Sequence, residues 1–149
     1  MVVLSGCSAD LDKRLVAAAS DGDLELVQVL LKRGANVDYQ LFDTGTTPLI
    51  AAARKGHVHV ATALLAAGAN INAVDHNVGT ALYWAAFEGQ QGMVKFMLER
   101  SAKLNCNAAS ATYLMNTIRK RNFIEVERLI DIQFQREGFS SGDNRSVSH

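Results

Sequence analysis

Three pairs of alanines, Ala18-Ala19, Ala52-Ala53 and Ala85-Ala86, recur 34 and then 33 residues apart, and Gly22, Gly56 and Gly89 follow them at the same interval. A fixed period of this length constrains architecture before any single helix does, because each copy is one supersecondary unit that cannot cover its own apolar face and must stack on its neighbours. The rest of the unit is copied too. Leu30-Leu31, Leu64-Leu65 and Met97-Leu98 occupy one place, and Gly34-Ala35-Asn36-Val37-Asp38 is matched by Gly68-Ala69-Asn70-Ile71-Asn72. In the third copy that last run degrades to Ser101-Ala102-Lys103-Leu104-Asn105.

Local chemistry makes each copy a pair of helices. Thr47 and Thr80 are residues that accept a bond from the free amides of a helix start, and Pro48 fits the first helical position, where its missing N–H costs nothing. Gly56 permits a left-handed turn between helices. Leu26, Val27, Leu30 and Leu31, and again Val60, Ala61, Leu64 and Leu65, recur at helical spacing and give one apolar stripe per second helix.

At Thr47-Pro48-Leu49-Ile50-Ala51-Ala52-Ala53-Arg54-Lys55-Gly56-His57 the chain resembles the ankyrin-repeat family, departing at Ile50, where the family usually has His. Thr80-Ala81-Leu82-Tyr83-Trp84-Ala85-Ala86 is the next copy, with Ala81 for Pro and Tyr83 for His. The resemblance implies an all-α solenoid of helix-turn-helix units joined by β-turn or hairpin loops, with repeats over residues 11–40, 41–74, 75–107 and 108–137. The outer two are expected to act as caps. Asp10 and Asp12 stand where a capping turn belongs, Lys13 and Arg14 replace Thr-Pro, and at the far end Tyr113-Leu114-Met115-Asn116 replaces Thr-Pro-Leu-His. Asn122 takes the place of the glycine and Asp131 that of the second leucine. Residues 1–10 are expected as a frayed leader and 138–149, rich in Ser, Gly and charge, as a disordered tail.

The charge totals narrow the choice of partner. With 15 basic and 15 acidic residues, no net charge draws the chain to nucleic acid or an anionic membrane, so polar recognition must be local. No apolar run reaches the length of a membrane span. Cys7 and Cys106 have neither a disulfide framework nor a zinc spacing. Leu4-Ser5-Gly6-Cys7 matches a bacterial lipobox, but the three residues ahead of it make no signal peptide. A cytoplasmic chain is expected, with a periplasmic or Cys7-anchored one as the alternative if an upstream signal peptide exists.

No catalytic or cofactor constellation emerges. Gly138-Phe139-Ser140-Ser141-Gly142 matches a nucleophile elbow in letters, yet it lacks the strand that must feed such a turn. His57 and His59 point apart on a helix, and His57 matches a structural residue of the ankyrin repeat. Asn144-Arg145-Ser146 is a glycosylation triplet, relevant only to a secreted chain.

The family resemblance implies a protein partner on a concave face formed by turn tips and the exposed ends of the first helices. The residues before each unit's glycine are then the candidates: Asp21 beside Ser20, Arg54 and Lys55, Phe87 and Glu88, and Lys120 and Arg121. Phe87, an aromatic ring in a polar row, is the type of residue that anchors an interface, with folding over a neighbouring repeat as the alternative. The turn Tyr39-Gln40-Leu41-Phe42-Asp43-Thr44-Gly45 holds one extra residue and should protrude, with Tyr39, Leu41 and Phe42 as an apolar tip beside Asp43 and Thr44. An alternative packing tucks Leu41 or Phe42 beneath the loop. The equivalent tips, His76-Asn77 and Ala109-Ser110, are polar or small. Tyr83 and Trp84 are expected to pack between repeats, and Arg119 to Arg121, the basic cluster of the sequence, to complement a helix C-terminus, with an acidic or phosphorylated partner as the alternative. The chain is expected to be a monomeric, non-enzymatic interaction module without cofactors; a regulatory inhibitor of an enzyme such as a kinase is the alternative.

Overall fold

A computed structural model describes residues 5–138. Within them lie eight α-helices in four consecutive pairs: α1 (Ser5–Asp21) with α2 (Leu24–Lys32), α3 (Pro48–Lys55) with α4 (Val58–Ala66), α5 (Ala81–Glu88) with α6 (Gln91–Glu99), and α7 (Ala108–Lys120) with α8 (Ile124–Arg136). First helices pack on first helices along the row α1, α3, α5, α7, and second helices on second helices along α2, α4, α6, α8. No strand forms among the described residues. The stack is therefore the all-α repeat solenoid that the 33-to-34-residue period implies.

Both ends of the inner first helices are fixed by the residues the sequence singled out. The Thr47 hydroxyl accepts the Ile50 amide at 3.2 Å and the Thr80 hydroxyl accepts the Tyr83 amide at 3.2 Å, with Pro48 in the first turn. Gly56 and Gly89 close these helices in the left-handed conformation, at φ of 77° and 76°. A Cβ on Gly56 would also lie 2.5 Å from Oε1 of Gln90, in the next repeat, so a side chain there would have to push the Gln90 side chain aside. In the fourth pair Asn122 takes the same turn at φ 59°, a conformation asparagine tolerates better than most residues.

Each pair is latched to the one before it through a backbone carbonyl. Nε2 of His57 donates to Ser20 O at 3.0 Å, Nε2 of Gln90 to Arg54 O at 3.1 Å, and Nη1 of Arg121 to Phe87 O at 2.7 Å. On the far side of each repeat a second series of bonds runs through the Asx positions, where Asp38 accepts the Asn70 amide at 2.8 Å and Asn72 the Lys103 amide at 2.9 Å. Beneath both runs one continuous core, from Leu15 and Leu30 through Leu49, Leu64, Leu82 and Met97 to Leu114 and Ile130. Its paired alanines, Ala52-Ala53 and Ala85-Ala86, are almost wholly buried and let first helices approach closely.

The terminal pairs depart from expectation. Helix α1 starts at Ser5, so residues 5–10, expected in a frayed leader, are helical. Asp12 lies inside that helix rather than in a capping turn, and its carboxylate accepts the Asn36 amide at 2.6 Å. At the other end Ala109-Ser110 is not a turn tip, because α7 already begins at Ala108, capped by Asn107, whose side chain accepts the Ser110 amide at 2.9 Å. The outer first helices, of 17 and 13 residues, thus exceed the inner two, of 8 residues each. Asp131 carries the cost of a polar substitution at the end of the stack. Its Oδ1 is buried without a hydrogen-bond partner, and burial raises the carboxyl above its usual range despite the nearby Arg119. Leu4 of the lipobox pattern and the tail from Phe139 lie outside the described residues.

Candidate interaction surface

The row of first helices and the tips that lead into them carry two dissimilar patches. Toward the N-terminal end, Lys13, Val16, Ala17 and Ser20 share one face of α1 at helical spacing, and Ala51, Arg54 and Lys55 face them from α3. Leu41 and Thr46 of the intervening turn close one side, leaving a groove of about 470 Å³. Val16 and Ala51 are buried yet lie outside the continuous core, so they form the floor.

Toward the C-terminal end the patch is aromatic. Phe87 stacks between Tyr83, at a centroid distance of 6.4 Å, and Tyr113, at 6.1 Å, and meets Trp84 edge-on at 5.5 Å. Phe87 is therefore half-buried rather than a free ring in a polar row; rings from its own helix and from the next repeat hold it on both sides. The ring left in water is Tyr113, 61% exposed. Sequence reading missed Tyr113 as a surface residue because it occupies the helix-capping place of the repeat, whereas α7 starts at Ala108 and carries it inside the helix. Tyr83 and Trp84 are half-buried against the core, as expected. Burial first, then the negative potential of Cys106, Tyr113 and Asp75, raises the Tyr83 phenol; burial and then Glu137 raise the Cys106 thiol, the opposite of what a reactive cysteine needs.

Several predicted site residues are brought together across the two patches. Glu88 pairs with Arg54 at 3.5 Å and with Arg121 at 3.6 Å, spanning three repeats, while the Arg54 guanidinium sits 4.7 Å over the Trp84 ring. Asp21, Lys55 and Lys120 are exposed at the equivalent helix ends.

The tip at Phe42 protrudes. Phe42 is 96% exposed, with Asp43 and Thr44 also in solvent, whereas Tyr39 and Leu41 are half-buried and do not share the apex. The neighbouring tip, with His76 and Asn77 exposed, docks on it through the His76 amide, which donates to Thr44 O at 3.0 Å. Among the described residues no three of His, Cys, Asp or Glu are grouped to hold a metal ion, and no helix is long and apolar enough to cross a membrane. His57 is occupied by its bond to Ser20.

No curated protein matches the chain. A family model described as ankyrin repeats, three copies, matches residues 15–108, which takes in the first three helix pairs from Leu15 onward. Ankyrin repeats generally mediate protein–protein interaction and are typically non-enzymatic. With the copied helix pairs, the threonine caps and the left-handed glycines all in register, the chain belongs to the ankyrin-repeat family.

Proposed function

We propose that the chain is a monomeric binding module that grips a partner protein through its first-helix face and turn tips, with Phe42 and Tyr113 as the outermost apolar contacts. The observation that carries this reading is their exposure, 96% and 61%, on elements that frame the row of first helices. Aromatic side chains left in water at protruding positions supply large contact area at little conformational cost, which is why they concentrate binding energy. Arg54, Lys55, Glu88, Lys120 and Arg121 make a charged rim around them, and Asp21, Asp43, Thr44, His76 and Asn77 extend it. Phe87 supports Tyr113 from behind, while Tyr39 and Leu41, half-buried in the same turn as Phe42, complete the contact set. The stack is preformed, so little ordering opposes association.

A pull-down from a lysate with the wild-type chain and with a Phe42→Ala/Tyr113→Ala variant tests this. Both substitutions should leave the melting temperature nearly unchanged. Captured partners should fall by about tenfold or more, since an anchor is worth roughly 1–2 kcal/mol or above. Equal capture by both chains, with loss instead on changing Ile124 and Ile132 of α8, would move the interface to the opposite side and refute the proposal.

A further inference from the structure

We infer that the groove between α1 and α3 takes an acidic segment of a partner protein, one carrying an apolar side chain that seats on Val16 and Ala51. This deepens the protein-binding reading and rests on it. Three basic side chains, Lys13, Arg54 and Lys55, line the groove, and no carboxylate does. Arg54 is already engaged by Glu88 and Trp84, but Lys13 and Lys55 have no acidic partner among the described residues. The chain as a whole is neutral, with 15 charges of each sign, so this excess is a matter of placement. Two unpaired ammonium groups above an apolar floor complement carboxylates flanking a leucine-like or aromatic residue. A volume near 470 Å³ falls within the range of about 300–1,000 Å³ of sites that hold ligand side chains or small molecules.

The wider surface disfavours a nucleic acid in the same place. Read along the row, the residues before each turn are Asp21, Lys55, Glu88 and Arg121, alternating in sign, and a uniform polyanion laid across them meets a carboxylate at every second repeat. A short acidic segment confined to the groove avoids Glu88.

The test is affinity selection of short random peptides displayed on phage against the full chain, followed by anisotropy titration of the enriched peptides at low and high salt. The enriched peptides should be net acidic with an apolar residue, and should weaken with salt. They should bind a Lys13→Glu/Lys55→Glu variant at least tenfold more weakly, while that variant keeps its circular-dichroism melt, both side chains being exposed. Neutral or basic peptides, acidic peptides indifferent to the double substitution, or a labelled single-stranded oligonucleotide that binds more tightly than any peptide would overturn the inference. An empty selection would overturn it too. In each of those cases, loss of the pulled-down partner on changing Phe42 and Tyr113 would still leave the broader reading standing.

Discussion

The turns leading into α3 and into α5 occupy the same place in successive repeats, yet only the second is held by a buried carboxylate. In the second, Asp75 is nearly buried, and one carboxylate oxygen accepts the Asn77 and Gly79 amides, each at 2.9 Å, while the other accepts Nε1 of Trp84 at 2.8 Å. The first turn has no such carboxylate. Its closure rests on the backbone, with the Leu41 amide donating to Thr46 O at 3.1 Å and the Gly45 amide to Leu41 O at 2.7 Å, and on the Thr44 hydroxyl, which accepts the Thr46 amide at 3.3 Å. The second turn makes matching backbone bonds, Asp75 amide to Gly79 O at 3.1 Å and Val78 amide to Asp75 O at 3.0 Å, and adds the carboxylate to them. In the first turn the extra residue is accommodated and Phe42 is released into solvent. One turn spends its side chains on its own structure; the other has a side chain to spare.

That contrast can be broken by substitution. Replacing Asp75 with Ala strands a buried Gly79 amide and the Trp84 indole N–H, and should lower the unfolding free energy in urea by about 3 kcal/mol, since bonds to a charged acceptor contribute roughly 1.5–3 kcal/mol each. The next effect has the opposite sign. Val78 stands at φ 63° and is 57% exposed, a β-branched residue in a conformation that disfavours it, so Val78→Asn should raise stability by about 1 kcal/mol in the same assay. Phe42→Ala should change stability least, by no more than about 0.5 kcal/mol, because the ring buries almost nothing. A Phe42→Ala loss approaching that of Asp75→Ala would mean that the first turn also depends on its side chain, and the contrast would fail.

Which features were legible in the sequence follows from where the copies agree. Thr47, Thr80, Gly56 and Gly89 recur in register and answer purely local demands, a free amide or a left-handed backbone, so their roles could be read without coordinates. The starts of α1 and α7 could not, because the outer repeats lack the turn that stops an inner helix from growing backwards. Asn107 caps α7 well ahead of the position that the period assigns to the helix start. Phe87 was hidden for a related reason: part of its cover is the ring of Tyr113, which belongs to the next repeat and lies inside α7 where the period expects the helix to begin.

The carbonyl latches at Ser20, Arg54 and Phe87 tie each helix pair solely to its predecessor. A load applied at α8 therefore reaches α1 joint by joint, and bending is shared along the file instead of being carried by a single hinge. A guest straddling α1 and α3 splints one joint and leaves those beyond it as compliant as before.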